Sequence, residues 1–372
     1  MKLRTQALNT FICLTCLLFS TLSFSEIQKE TFESILKDIS PDETIRVASI
    51  GELRRHIKNI QPNNSKQILI VIEKGEYQVS RPIVVDKPRV AIVGASANPQ
   101  DVILKGKGFK GSVVGIFDIS NNHITLASMT LKDVANHLIQ VRAEKSASYF
   151  KLTNSILLDA KEQLFKVSGG KSGKKSMAGK ITFSYFGYSE GIGPQFYIGG
   201  IDAHASENWL IEGNTFENIA SPSKQVAQYA IHFWRGSANT RVKNNTIKNC
   251  DRGIGFGLGK ANIDHIGGVI ENNTIINEGL SLHRFSDVGI SLESSPNSKV
   301  INNTIELQSD YPNAIEYRFP ATSNVLIKGN KTNKRITSRN GASGVESEND
   351  TSFNLFKESR YWFNKTKQKL SN

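Results

Sequence analysis

Along most of the chain, short apolar runs are broken by Asn and Gly, and no amphipathic stretch of helical length separates them. Trp209-Leu210-Ile211 and Thr246-Ile247 typify these β-rich runs. The breaks recur as Gly213-Asn214-Thr215-Phe216, Asn244-Asn245-Thr246-Ile247, Asn272-Asn273-Thr274-Ile275, Asn302-Asn303-Thr304-Ile305 and Gly329-Asn330-Lys331-Thr332, spaced by 27 to 31 residues. A period of this length means stacked units. Leucine-rich repeats need Leu at fixed offsets and propeller blades need about 40 to 50 residues per unit, so the units read as β-solenoid coils. The recurring Asn suits a left-handed turn, and stacked amides can bond from coil to coil. That periodicity favours a structural role over glycosylation for the Asn-x-Thr triplets at Asn244, Asn272 and Asn302.

The amino end departs from the pattern. Ser49 with Glu52 forms a capping box that predicts a helix through Ile50, Leu53, Ile57 and Ile60, a lid over the apolar interior of the first coil. Strands at Gln67-Ile72, Ile83-Val85 and Val90-Val93 then start the stack. The solenoid is expected over residues 45–337, after a lead at 26–44. Residues 338–372 are polar and basic, either a closing cap carrying Tyr361, Trp362 and Phe363 or a tail. Ahead of everything, Lys2 and Arg4 precede an apolar run from Ala7 to Leu22, with Ser23 and Ser25 before Glu26. Residues 1–25 read as a signal peptide, which predicts a secreted or periplasmic protein. A stable membrane span needs about 20 apolar residues, more than this interrupted run offers.

Composition narrows the partner. The 372 residues carry a net charge of +12, and removing residues 1–25 takes Lys2 and Arg4 and no acid, leaving about +10. A basic protein favours a polyanion, and export ranks an acidic polysaccharide above nucleic acid. Cys13 and Cys16 leave with the leader, so Cys250 alone remains and no intrachain disulfide forms. Gly253-Ile254-Gly255-Phe256-Gly257 and Gly169-Gly170-Lys171-Ser172 lack the spacing of nucleotide-binding loops. A zinc site lacks a third ligand beside His204 and His232.

Aligned in register, the strands place Ile139, Phe165, Ile201, Ile231, Ile254, Ile290 and Ile315 in one inward column. Alternation sends two files outward. One is Gln140, Lys166, Asp202, His232, Gly255, Ser291 and Glu316; the other is Arg142, Ser168, His204, Trp234, Gly257, Glu293 and Arg318. The small residues Gly200, Ala230, Gly253, Gly289 and Ala314 are also expected to face outward and floor a groove. Insertions between Phe165 and Ile201, and between Ile254 and Ile290, would wall it. The first carries Lys171, Lys174, Lys175, Tyr185 and Tyr197.

These files hold the groups a uronic-acid lyase needs: a neutraliser for the sugar carboxylate, a base for the adjacent proton and an acid for the leaving oxygen. Lys166 or His232 is the candidate base and His204 or Tyr197 the candidate acid. Arg318, Arg252 or a bound cation is the candidate neutraliser, and Trp234 a sugar-stacking platform. Each has a structural alternative: Lys166 as a solvated charge, His204 and His232 as partners of Asp202, Trp234 under a loop, and Asp251-Arg252 as a local ion pair. Hydrolysis is the alternative chemistry, because Glu293 and Glu316 lie about 8 Å apart by strand spacing, which suits an inverting carboxylate pair. A noncatalytic glycan-binding solenoid is the third reading.

Over roughly residues 45–336 this repeat grammar resembles the right-handed parallel β-helix proteins of the pectate-lyase-like superfamily. Val47-Tyr77, with Glu52-Leu53 and Glu73-Lys74-Gly75-Glu76-Tyr77, looks like the opening of chondroitinase-B-like and alginate-lyase-like β-helices. Gly199-His204, Ile231-Trp234, Asp251-Gly257 and Pro312-Phe319 look like secreted bacterial β-helix proteins without an established activity. The resemblance implies a Lys base and an Arg acid beside Ca²⁺ held by Asn and acidic residues. Lys166 matches in type and location, with Asp202 and His204 on the next coil and no Arg directly beside it. Calcium needs oxygen ligands, of which Asp202 is the first candidate.

Overall fold

The computed structural model describes residues 32–169, 173–279 and 286–353. The expected leader, Lys171 and Tyr361-Trp362-Phe363 lie outside the described residues. The rest winds as a parallel β-helix. Sheet 1 has twelve strands, from Glu43–Val47 to Gly344–Ser347. Sheet 2 has ten, from Gly75–Gln78 to Lys331–Thr332, and sheet 3 has ten, from Ile83–Val85 to Arg335–Arg339. A short fourth sheet, Ser176–Met177 to His265–Ile266, fills the corner between sheets 3 and 1. One coil runs through Lys180–Thr182, Tyr185–Gly187, Gly199–His204 and Ser206–Glu207, and each strand pairs in parallel with its counterpart on the next coil.

Strands this short stack stably because their inward residues form one continuous core. Phe150, Phe165, Phe233 and Trp209 pack with ring centroids 5.6 to 6.4 Å apart, and Phe186 stacks on Phe216 at 4.7 Å. The buried Trp209 indole N–H donates to the Ser176 carbonyl at 3.0 Å, which removes the penalty of an unpaired polar group.

The repeated Asn residues fix the register of that stack. Asn214, Asn245, Asn273, Asn303, Asn330 and Asn349 form a column in which each Nδ2 donates to the next Oδ1 at 2.9 to 3.0 Å. The same Oδ1 atoms accept the backbone N–H of the preceding rung, as Asn245 does from Asn214 at 3.0 Å. Upstream, Ser184 and Ser155 take the equivalent places. The residue before each rung turns the chain with positive φ: Gly213 at 65°, Asn244 at 57°, Asn272 at 55° and Asn302 at 55°. Both members of each Asn-Asn pair therefore serve the turn, one through its backbone and one through its amide.

Among the described residues two helices stand at the amino end, where one was expected. Helix α1 spans Phe32–Ile39 and α2 spans Ile50–Asn59. The predicted cap of α2 is present: the Glu52 N–H donates to Ser49 Oγ at 3.1 Å, and the Ala48 N–H donates to Glu52 Oε2 at 2.8 Å. Its Leu53 and Ile57 cover the first coil. Helix α1 instead lays Ile35 on the outer face of sheet 1, against Leu69, Val71, Ala91, Val93 and Ala127. This explains why Ile68–Ile72 is buried on both faces rather than alternating. Stacking also continues past residue 337, since Arg335–Arg339 and Gly344–Ser347 extend sheets 3 and 1. These strands look polar in sequence because the last coil is largely exposed.

Two outcomes follow from this packing. Asn245→Ala strands the Asn214 N–H and the acceptors of its own amide, and should lower unfolding free energy by about 2–4 kcal/mol in urea titration. Asn244→Gly, which keeps the left-handed turn, should change it by less than about 1 kcal/mol. His265 is fully buried, lies 3.0 Å from Thr240 Oγ1 and stacks on Phe256, and burial brings its pKa down to about 3. The unfolded chain then binds the proton first, so stability is present above pH 6.5 and is lost as pH falls. The His265 contribution to that slope is at most ~1.4 kcal/mol per pH unit, and a His265→Gln variant should show a shallower acid decline in melting temperature.

Candidate functional site

The alternation expected for sheet 3 is observed. Gln140, Lys166, Asp202, His232, Gly255, Ser291 and Glu316 are successive Cα partners, as are Ile139, Phe165, Ile201, Ile231, Ile254, Ile290 and Ile315 in the column beside them. His204 pairs with Trp234, and Glu293 with Arg318, two positions further on. The expected groove floor is corrected. A Cβ on Gly200 would meet Phe216 and Ile219, one on Gly253 would meet Ile275, and one on Gly289 would meet Ile305. Ala230 and Ala314 also lie in the core. The chain bends inward as it enters sheet 3, so this residue and the following Ile both face the interior. The column gives the large core side chains room; it floors no groove.

Three coils bring the chemistry together. The Lys166 ammonium donates to Asp202 Oδ2 and lies 3.0 Å from His204 Nε2. The Trp234 indole N–H donates to Asp202 Oδ1 at 2.6 Å, and His204 meets the Trp234 ring edge-on at 4.6 Å. His232 stacks on Trp234 at 5.3 Å, and its Nε2 lies 3.0 Å from the Gly257 carbonyl. Gly255 makes this possible, because a Cβ there would meet His232 and Tyr229 at about 3 Å. Lys166, Asp202, His204 and His232 are each less than a tenth exposed. Lys166 is therefore a buried ion-pair member rather than a solvated charge.

Electrostatics divides their roles. Burial, then the Lys166 charge, brings the His204 pKa down to about 4, so its imidazole is neutral at pH 7 and accepts from Lys166. Burial also holds His232 below its ordinary value. For Asp202, burial pushes upward, but Lys166 and then the two imidazoles outweigh it and leave the carboxyl below its ordinary range. Tyr197 is 43% exposed on the insertion that precedes Gly199–His204, where its ring meets Phe196. Burial and the Asp202 charge push its hydroxyl upward.

The remaining candidates lie apart from this centre. Arg252 pairs with Asp287 at 2.8 Å, while Asp251 accepts the Ser221 and Ala227 N–H groups at 2.9 and 2.8 Å. The expected local Asp251–Arg252 ion pair is thus replaced by three longer-range contacts. Glu293 takes Arg318 at 3.1 Å and the Gly259 N–H. Glu316, only 2% exposed, is bound by Arg339 at 2.9 and 3.0 Å, by Asn313 at 2.5 Å and by Tyr311. Arg235 was missed in the sequence: it turns with φ 51°, and its guanidinium sits 5.0 Å from the Trp234 ring centre. Its place directly after the outward Trp234 was the available signal.

The oxygen cage expected for Ca²⁺ does not fit these residues. Calcium takes six to eight oxygen ligands. Both Asp202 oxygens already accept from nitrogen donors, and their neighbours are an ammonium, an indole and two imidazoles. Among the described residues, no group of three or more His, Cys, Asp and Glu side chains is placed to hold a metal ion.

Stacked parallel sheets with a chemically dense outward face define a right-handed parallel β-helix fold. The family described as "Right handed beta helix region" matches residues 200–367. The alginate lyase from Paenibacillus sp. str. FPU-7 is similar in structure, with a TM-score of 0.58 at 14% identity over 82% of this chain and 99% of that one. The catalytic unit of the thermostable α-1,3-glucanase from Streptomyces thermodiastaticus strain HF3-3 gives 0.54 at 14% identity, over 85% and 68%. The Dettilon tailspike protein gives 0.50 at 12%, over 79% and 62%. These likenesses establish the fold. No curated protein matches the sequence significantly.

The buried pair makes its own prediction. Asp202→Ala leaves an uncompensated ammonium and should cost about 3–5 kcal/mol of stability, whereas Lys166→Met with Asp202→Leu should recover most of it. Urea unfolding of both variants checks this. Equal losses in the two would show that Lys166 reaches water when Asp202 is absent.

Proposed function

We propose that the chain is an exported polysaccharide lyase that cleaves a uronate-containing polysaccharide by β-elimination, centred on Lys166, Asp202 and His204. The observation that carries this reading is a buried ammonium held between a carboxylate and a neutral imidazole on the outward face. The basic composition and the leader-like residues 1–25 support an exported partner of acidic polymers. The β-helix neighbours include an enzyme named for alginate lysis and one named for glucan hydrolysis, which supports action on carbohydrate.

This reading redistributes the roles expected from sequence. An incoming sugar carboxylate takes one hydrogen bond of the Lys166 ammonium and the exposed Arg235 guanidinium, which acidifies the proton on the adjacent carbon. Released from Lys166, His204 Nε2 takes that proton as the base. The electron pair forms the new carbon–carbon double bond as the bond to the leaving oxygen breaks, and the Tyr197 hydroxyl supplies the proton to that oxygen. Asp202 keeps Lys166 and Trp234 in place, and His232 backs the Trp234 ring against which the sugar packs. The carboxylate pair of a hydrolase has less support, because Glu316 is enclosed by Arg339, Tyr311 and Asn313.

The test is incubation with alginates, pectates, glycosaminoglycans and neutral glycans, followed by ultraviolet absorbance of unsaturated uronates and by reducing-end assay. Absorbance and reducing ends should rise together on an acidic polymer. His204→Ala should lower kcat/KM by about 10²–10⁴-fold. The base must be neutral, so kcat/KM should stay level around neutrality and fall as pH drops through about 4. Reducing ends without absorbance would overturn elimination in favour of hydrolysis. Binding without either signal would make the protein a glycan-binding solenoid.

A further inference from the structure

A second concentration of charge lies on the first coil, away from the Lys166 centre. A pocket of about 240 Å³ opens between α2 and the edge strand Ile83–Val85, with Arg54, Lys58, Arg81 and Lys87 around it and Val84 and Asp86 in its wall. Four cations thus surround one carboxylate, and Asp86 already contacts Lys87 at 3.5 Å. The Arg54 guanidinium is fixed by the Pro82 carbonyl at 2.8 Å and the Arg81 carbonyl, neither of which offsets its charge. Burial and the nearby Arg81 charge hold Arg54 below its ordinary value. Among the described residues, Lys58 and Arg81 have no ion-pair partner. Lys58 favours the carboxyl end of α2 on dipole grounds, but Arg81 and Lys87 belong to the coil and have no such reason to converge there.

The pocket is aligned with the candidate centre. Val84 is half-exposed and begins the same outward file that continues through Asp118 and Gln140 to Lys166. Three coil spacings separate Val84 from Lys166, about 14 Å. Asp118, the carboxylate on that path, is neutralised by Arg142 through two bonds of 2.9 and 2.6 Å. A polyanion lying along this file of sheet 3 therefore meets, among the described residues, no unpaired carboxylate between the two places.

We infer that this pocket is a distal subsite that binds a carboxylate of the same uronate polymer, several sugars from the bond broken near Lys166. The inference takes its substrate class from the lyase reading. Occupancy of both places requires a long substrate, so the pocket selects chain length as well as charge.

The experiment compares wild type with an Arg81→Gln/Lys58→Gln variant by calorimetric titration with size-fractionated alginate and pectate oligosaccharides, their disaccharides and neutral cello-oligosaccharides. The variant should lose about tenfold in affinity for the long acidic oligomers, lose little for the disaccharides, and show a weaker salt dependence. Arg81→Lys/Lys58→Arg, which preserves the charges, should retain most of the affinity, and matched melting temperatures confirm that both variants fold. Unchanged affinity for long oligomers would overturn the subsite, as would equal losses for disaccharides. Intact binding without unsaturated product would instead overturn the lyase reading and leave the subsite standing. Absence of acidic-oligomer binding in wild type would overturn both.

Discussion

Coil-to-coil register is the constraint on which everything else in this protein rests. A side chain two positions along a strand changes its place in the patch, and a slip of one position turns it into the core. Strands of two to six residues hold their alignment weakly by themselves. The amide column from Asn214 to Asn349 holds it at one corner of the later turns, and Ser184 and Ser155 continue the line upstream. The left-handed residue before each rung sets the direction from which the chain leaves that corner. Hydrophobic burial drives the stack together, but it is indifferent to small shifts among similar aliphatic residues. The polar column supplies the discrimination that the core lacks.

That fixed frame lets the outward face carry interactions that are unfavourable alone. Burying an ammonium next to an imidazole requires a carboxylate at a set position, and the parallel pairing of Lys166 with Asp202 provides it. The next coil contributes Trp234, whose indole N–H takes the remaining Asp202 oxygen. The cluster is therefore polarised in advance: a charged donor, an uncharged acceptor and an aromatic wall are held before any ligand arrives. At the far end of the sheet, similar residue types yield a different result. There Glu316 is enclosed by Arg339, Tyr311 and Asn313, and the charges satisfy one another.

Much of this was legible in the chain because alternation and recurrence are local signals. The Asn pairs gave the period, and aligning short apolar runs put Lys166, Asp202 and His232 in one file and His204 beside Trp234. Alternation failed at Gly200, Gly253 and Gly289, where the chain enters the sheet through a bend and consecutive residues both point inward. It also gave no sign of α1, whose apolar face answers the outer side of sheet 1 rather than the interior. The partners of Asp251 and Arg252 were hidden for a further reason: they are Ser221, Ala227 and Asp287, distant in sequence and brought near by winding. Ionisation was the least legible property, because the depressed pKa of His204 arises from burial and from Lys166 on another coil.

The principal cluster is drawn from three successive turns, so a group assembled in space is nearly continuous along the chain, from Lys166 to Arg235. Most enzyme centres gather residues from distant segments, and recombination breaks them apart. Here a crossover at two of the left-handed corners would exchange a whole turn, with its strand lengths and ladder rung intact, and replace one row of the patch. The architecture thus separates heritable units of chemistry from the scaffold that aligns them, and new specificities become accessible by shuffling turns rather than by rebuilding a core.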